Sequence, residues 1–350
     1  MKIDKVAVLG AGYMGSAITF PLSDNGITVN LWGTWLDDEL IDRCKNGPHP
    51  KLKKLLPEPV KLFNSSKLEE ALDGAQYLFI AVSSEGFLPV FDKALDHLEQ
   101  ECPVLTLTKG FIDDRGKVKR ISKAAMDLFR NHSPDRELKW VSVGGPVKAV
   151  ELSNLIPSAT IYGAKHSNLL DSVKSFETDY YRIATFNDVA GVELSSAFKN
   201  VYAIGLGMCD GIYKTKNRKE YHNLCAILFS QSLKEISLIV EWSGGDEMAV
   251  WHLAGVGDLY VTARSGRNSK YGELVGEGTV PLEAYNMMLE DDLIVEGYDT
   301  LKLGMQWIQE KDERFIEKLP LLKALFNIIF HGYDSESELE QFVRGYPYSE

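Results

Sequence analysis

The sequence predicts an α/β protein: a doubly wound, mainly parallel sheet followed by an all-helical C-terminal domain. Three patterns point there. The first half alternates short apolar runs with amphipathic segments, a glycine-spaced turn follows the first of those runs, and beyond residue 188 only helical periodicity remains. Strands covered on both faces read as nearly unbroken apolar runs. The candidates are Lys5–Leu9, Ile27–Trp32, Gln76–Val82, Pro103–Thr108, Lys139–Val143, Ala159–Tyr162 and Tyr181–Thr185. Between them lie segments such as Phe87–Leu98 and Val118–Phe129, whose spacing predicts the crossover helices of a parallel sheet. From Val189 onward the expected helices are Val192–Met208, Leu224–Trp242, Leu282–Leu289, Thr300–Gln309 and Leu319–Phe330. The last has Pro320 in its first turn and stops at Gly332, both boundary signals. The polar tail 334–350 is expected to hold one short helix. The division falls at residues 1–188 and 189–350.

A chain of 350 residues is long enough for two cores. Its 38 Lys and Arg against 50 Asp and Glu give a formal charge of −12, so it lacks the basic face that nucleic acid requires. A locally positive pocket for a small anion remains compatible with that balance. Cys44, Cys102, Cys209 and Cys225 are far apart and form no CxxC pair, so neither a metal site nor a disulfide framework is expected. Reduced thiols point to the cytoplasm. No stretch approaches the roughly 18 apolar residues of a membrane span. The apolar helices after residue 300 could serve a homodimer or the core.

The first strand runs straight into Gly10-Ala11-Gly12-Tyr13-Met14-Gly15 and then a helix. Gly10 permits a tight turn, Gly12 lets backbone approach a pyrophosphate, and Gly15 allows close helix packing; the helix N-terminus attracts the phosphates. In this context GxGxxG reads as the dinucleotide turn of a Rossmann-type fold, which makes residues 1–188 an NAD(P)-binding domain. The second strand ends Leu31-Trp32-Gly33-Thr34, with neither the acid that favours NAD nor the base that favours NADP. Asp37 and Asp38 follow, where they could simply open the next helix. NAD and NADP both remain open.

In the second half, the segment from Gly191 to Met208 has only Glu193 and Lys199 as charged residues, so most of it must be buried. The helical neighbours of Lys199 are Ser195, Ser196, Tyr202, Ala203 and Leu206, an uncharged face. Burying an unpaired ammonium is costly and normally functional, which makes Lys199 the candidate acid–base group. A second group is Gly257-Asp258-Leu259-Tyr260-Val261-Thr262, followed by the short loop Ser265-Gly266-Arg267-Asn268. Arg267 and Asn268 supply donors suited to phosphate. Lys109, in Thr108-Lys109-Gly110, follows the fourth expected strand at the edge where open α/β sheets bind ligands.

These motifs, with Ala81-Val82-Ser83, Gly145-Pro146-x-x-Ala149-x-Glu151, Ala197-Phe198-Lys199-Asn200-Val201, Asp210-Gly211 and Val295-Glu296-Gly297, resemble the NAD(P)-dependent glycerol-3-phosphate dehydrogenase family over nearly the whole chain. Trp32-Gly33-Thr34 and the short Arg267 loop look closest to its archaeal-type branch. The resemblance implies reversible reduction of dihydroxyacetone phosphate to sn-glycerol 3-phosphate, a glycerophospholipid precursor. It implies that Lys199 moves the proton at the substrate oxygen, with Lys109, Asp258, Asn200 and Thr262 placing that oxygen and the lysine. Gly145 and Val147 would line the substrate, and Gly266, Arg267 and Asn268 would hold its phosphate. Tyr13, Met14, Lys109, Ala149, Ile294 and Glu296 would contact the dinucleotide, with Arg267 also reaching it and Thr34 standing at the ribose. Two positions depart from the family. Val147-Lys148 replaces the usual Ser-x of GPSxA, removing a hydroxyl and adding a cation, and Thr34 replaces a bacterial-type Arg. Two alternatives stand beside this reading: a related β-hydroxyacid or ketopantoate-type dehydrogenase, and a non-catalytic NAD(P)-binding regulator.

Overall fold

The computed structural model describes residues 3–99, 101–216 and 222–346. The chain forms two compact units, Met1–Ile112 with Arg120–Glu193, and Asp113–Lys119 with Leu194–Glu350. The strands are β1 (Lys5–Leu9), β2 (Thr28–Trp32), β3 (Val60–Phe63), β4 (Leu78–Ile80), β5 (Val104–Thr106), β6 (Phe111–Asp114), β7 (Lys117–Arg120), β8 (Trp140–Gly144), β9 (Ser158–Gly163) and β10 (Tyr181–Phe186). Eight of them form one sheet in the order β10-β9-β8-β5-β4-β1-β2-β3. Every pairing in it is parallel except β8 with β9. The run β3-β2-β1-β4-β5-β8 is the doubly wound nucleotide-binding order, with its switch point between β1 and β4. Alternate side chains explain why both faces are dry: Val6, Val8, Val29 and Leu31 enter one apolar layer, and Ala7, Leu9, Leu78 and Ile80 the other.

All seven expected strands are present, and three were not anticipated. β3 is a four-residue edge strand without a dry face to give it an apolar run. β6 and β7 form a two-stranded hairpin whose two-residue turn, Arg115-Gly116, has φ of 56° and 82°. Two positive φ values with glycine second suit the right-handed strand twist. The helix expected over Val118–Phe129 therefore starts later, at Ile121, and runs to His132. Its cap is not local: the buried Glu193 carboxylate accepts from the Ser122 backbone N–H at 2.7 Å and from Ser122 Oγ at 2.6 Å. No spacing rule could assign that partner.

The second unit is built on the helix Val189–Thr215, with His222–Trp242, Asp258–Ser265, Arg267–Gly276, Pro281–Glu290, Glu296–Asp312, Pro320–His331 and Ser335–Arg344. The expected Pro320 start and Gly332 stop are both used, Gly332 at φ 73°. Residues 347–350 of the expected tail lie outside the described residues. Two expectations are corrected. His222–Trp242 is long and apolar enough to cross a membrane by length and composition; Gln231, Lys234 and Glu235 hid this by interrupting the apolar run. Half of that stretch is buried inside the structure, as in a core helix. Cys209 and Cys225, distant in sequence, have their sulfurs 3.0 Å apart, both as free thiols.

Glu235 shows how this unit is tied. Its carboxylate accepts from Tyr202 Oη (2.8 Å), Gln231 Nε2 (2.9 Å) and the backbone N–H groups of Leu321 (2.7 Å) and Leu322 (2.9 Å). One buried group thus joins three helices and caps the last. Burial outweighs those four donors and pushes its pKa up to about 7. A raised carboxyl pKa favours the fold fully below the unfolded value near 4.5, and that contribution is lost as pH rises through 7. Thermal unfolding of the wild type and Glu235→Gln across pH 5 to 8 should therefore show the difference moving in favour of Gln as pH rises. A pH-independent difference would show that Glu235 does not titrate in that window.

Candidate active site

The nucleotide half begins where β1 ends. Gly10 adopts φ +105°, and its N–H donates to the Trp32 carbonyl at 2.9 Å. A Cβ on Gly15 would sit 1.9 Å from the Gly10 carbonyl oxygen, so only glycine lets the helix Tyr13–Asp24 pack this close. At Gly12 the opposite holds: a Cβ there would meet nothing within 4 Å. Open space beside the helix N-terminus, where the N–H groups of Tyr13, Met14 and Gly15 lack intrahelical acceptors, fits a dinucleotide pyrophosphate.

Just past β2, Thr34 is buried, and Asp37 Oδ2 accepts from its backbone N–H (3.0 Å) and its Oγ1 (2.8 Å). Asp38 accepts from Ser65 N–H and Oγ, both at 2.7 Å. Both carboxylates thus hold loops together. Lys109 is half-buried just past β5, beside Gly110 at φ +110°. Thr108 Oγ1 ties that exit to the Val82 carbonyl at 2.7 Å. Past β8, Gly145 turns at φ +117°, Val147 N–H returns to its carbonyl at 2.9 Å, and Ala149 opens a short helix. Lys148 pairs with Glu151 at 3.6 Å.

The helical half centres on Lys199. Its Nζ donates to Asp258 Oδ1 at 2.8 Å and to Thr262 Oγ1 at 2.6 Å, and the lysine is 5% exposed. The ammonium is therefore paired, not isolated. The pairing arises because residues 253–257 make a wide, π-type turn that delivers Asp258 as the first residue of a helix, with Thr262 one turn along. Beside this pair, Asn268 Nδ2 donates to Asn200 Oδ1 (2.9 Å), Asn200 Nδ2 to Glu296 Oε2 (3.1 Å), and Gly297 N–H to Asn268 Oδ1 (2.8 Å). Arg267 reaches Glu296 Oε1 at 3.2 Å. Ile294 is exposed just before that helix. Gly266 to Asn268 are not a loop, as expected from sequence: Gly266 caps the helix Arg267–Gly276, so Arg267 and Asn268 occupy its positive end.

These groups hold their places because two helices touch through their main chains. A Cβ on Gly272 would fall 2.0 Å from the Ile204 carbonyl oxygen, and one on Gly207 equally close to that of Ser269. Gly211 and Gly276 repeat the contact further along.

A glycine turn on a doubly wound parallel sheet, together with a buried lysine set against a carboxylate, defines the class: a nicotinamide-dependent dehydrogenase acting on a CH–OH group. The sequence matches the family models for the NAD-dependent glycerol-3-phosphate dehydrogenase N-terminus over residues 5–170 and C-terminus over residues 188–340. It is 32% identical over 341 residues to the NADP(+)-dependent glycerol-3-phosphate dehydrogenase of Archaeoglobus fulgidus, covering 95% of this chain and 97% of that one. It is also 32% identical over 346 residues to the glycerol-3-phosphate dehydrogenase [NAD(P)+] of Bacillus velezensis, covering 97% and 94%. The chain belongs to the NAD-dependent glycerol-3-phosphate dehydrogenase family. Its fold superposes on the glycerol-3-phosphate dehydrogenase of Coxiella burnetii with a TM-score of 0.82 at 23% identity, covering 97% of this chain and 99% of that one.

The glycine seam gives a direct test. Gly272→Ala forces the two helices apart and should cost at least about 1–3 kcal/mol in urea or thermal unfolding, the scale of overpacking. Turnover should fall with it, because Lys199 and Asn268 ride on those helices. Unchanged stability would mean the seam is looser than its geometry.

Proposed function

We propose that the chain interconverts dihydroxyacetone phosphate and sn-glycerol 3-phosphate with NAD(H) or NADP(H), supplying glycerophospholipid backbones. The carrying observation is Lys199, buried against Asp258 and Thr262 in a chain of this family. In this reading residues 1–188 hold the dinucleotide and residues 189–350 bind and protonate the substrate. Free cysteines fit a cytoplasmic setting.

When bound, nicotinamide supplies a hydride to the carbonyl carbon, or takes one in the reverse direction. Gly10, Gly12 and Gly15, with Tyr13 and Met14, would hold the pyrophosphate end; Thr34 would face the ribose; and Lys109, Ala149, Arg267, Ile294 and Glu296 would contact the rest. Lys199 gives a proton to the oxygen that becomes the alcohol, and recovers it in oxidation. Asp258 pairs with the ammonium and aims it, while Thr262 fixes a second N–H. Lys109, Gly145 and Val147 would supply further substrate contacts. The substrate phosphate meets Arg267 and the first-turn N–H groups of the helix that Gly266 caps. Asn268 spends its amide largely on Asn200 and Gly297, so its part is to hold Asn200. Glu296 keeps Arg267 paired when no phosphate is bound.

Absorbance assays with NADH and NADPH should show reduction of dihydroxyacetone phosphate and near inertness of dihydroxyacetone. Arg267→Ala should raise KM for the phosphate ester at least tenfold, and Val147→Ser should change it much less, since charged hydrogen bonds outweigh neutral ones. Comparable efficiency on both ketones would overturn the phosphate reading and favour a hydroxyacid-type substrate.

Lys199→Met keeps much of the stem's packing and removes the proton donor. Turnover should fall about 10²–10⁴-fold, the usual worth of general acid–base catalysis. NADH affinity, measured by nucleotide fluorescence, should barely change. Retention of more than about a tenth of turnover would remove Lys199 from this role.

A further inference from the structure

The dinucleotide turn is gripped from outside by a residue that no motif singled out. His49 lies in the loop after the helix Asp38–Asn46 and is completely buried. Its Nδ1 faces two backbone donors, the N–H groups of Lys51 (3.2 Å) and Leu52 (3.1 Å). Those contacts require Nδ1 to accept, which leaves the ring hydrogen on Nε2. Nε2 lies 3.1 Å from the carbonyl oxygen of Ala11, the middle residue of Gly10-Ala11-Gly12, and donates to it. The same oxygen accepts from Ser16 Oγ at 2.9 Å.

A flat trans peptide makes this contact matter. The Ala11 carbonyl and the Gly12 N–H belong to one peptide plane and point in opposite directions. Two donors on the oxygen hold the Gly12 N–H pointing away from them. A flipped plane would turn a carbonyl oxygen where that donor should be, and an oxygen repels a phosphate. Gly12, having no Cβ, gives the plane little resistance to turning on its own side.

We infer that His49 is a positioning residue for the dinucleotide: through the Ala11 carbonyl it locks the peptide plane of the glycine turn in its phosphate-accepting orientation. Burial holds the imidazole below its ordinary pKa, which keeps the neutral, accepting Nδ1 that this arrangement uses. The histidine also anchors its own loop, since His49 N–H donates to the Lys54 carbonyl and Lys53 N–H to the His49 carbonyl, both at 2.7 Å. Lys51 of that loop reaches over the Tyr13 ring, at 5.5 Å.

The inference rests on the dinucleotide reading, and the experiment separates the two. NADH and NADPH dissociation constants, kcat, KM and melting temperatures are measured for the wild type and three variants. His49→Phe loses both polar contacts, His49→Gln retains a donor that can reach Ala11, and His49→Asn retains only an acceptor for the Lys51 and Leu52 N–H groups. His49→Phe should raise both nucleotide dissociation constants roughly tenfold, as expected for losing one of the two hydrogen bonds that hold the Ala11 carbonyl. Its kcat at saturating nucleotide should stay within about twofold, because Lys199 is untouched. Gln should recover much of the affinity and Asn little. Unchanged nucleotide affinity in a folded His49→Phe would overturn the inference, as would recovery by Asn but not Gln, or an equal fall in kcat. Should Phe fail to fold, the contrast between Gln and Asn decides alone. Failure of the wild type to bind either nucleotide would instead remove the functional reading itself.

Discussion

The Lys199 ammonium and the Asp258 carboxylate lie 2.8 Å apart with almost no solvent access. Neither could be buried alone; breaking such a pair by removing one partner typically costs about 3–5 kcal/mol. Much of the helical unit's local design follows from keeping them together. The wide turn over 253–257 brings Asp258 to the helix start, and Thr262 supplies a second acceptor one turn on. The next residue after the lysine, Asn200, is then held by Asn268 and Glu296. A buried ammonium needs acceptors in a defined direction as well as a countercharge. The surrounding bonds give the Lys199 ammonium that direction, and Asp258 is its paired countercharge.

The two halves achieve their precision by different means. In the sheet unit, backbone groups do the work: a positive φ at Gly10, open space beside Gly12 and a carbonyl-to-glycine contact at Gly15. In the helical unit, side-chain hydrogen bonds link the candidate residues and glycines set the distances. Charge is treated differently as well. Asp37, Asp38, Glu193 and Glu235 are all taken up by backbone N–H groups of turns or helix starts. Asp258 and Glu296 instead pair with side-chain cations, Lys199 and Arg267.

What the sequence revealed was what is local. Apolar runs located seven strands, since a strand dry on both faces has no other way to be written. The glycine turn and the buried character of the Lys199 helix were legible for the same reason. Features that depend on a partner remote in sequence were not. Glu193 starts a helix 71 residues away, so that helix was placed three residues early. The start of the helix Arg267–Gly276 is hidden within Ser265-Gly266-Arg267-Asn268, because a glycine needed for close packing looks like a loop signal. His49 was invisible: a lone histidine in a polar loop carries no pattern until Ala11 is seen beside it. The nearness of Cys209 to Cys225 likewise required knowing that their helices run side by side.

The glycine seam has a mechanical consequence. Packed helices usually slide past one another by small rotamer changes in the layer of side chains between them. Where Gly207 meets Ser269 and Gly272 meets Ile204, that layer is missing, and main chain rests on main chain. There are no rotamers to absorb shear. The stretch of helix around Lys199 and Asn200 and the helix that begins at Arg267 therefore move as one rigid beam, and any motion the enzyme makes during turnover must bend elsewhere.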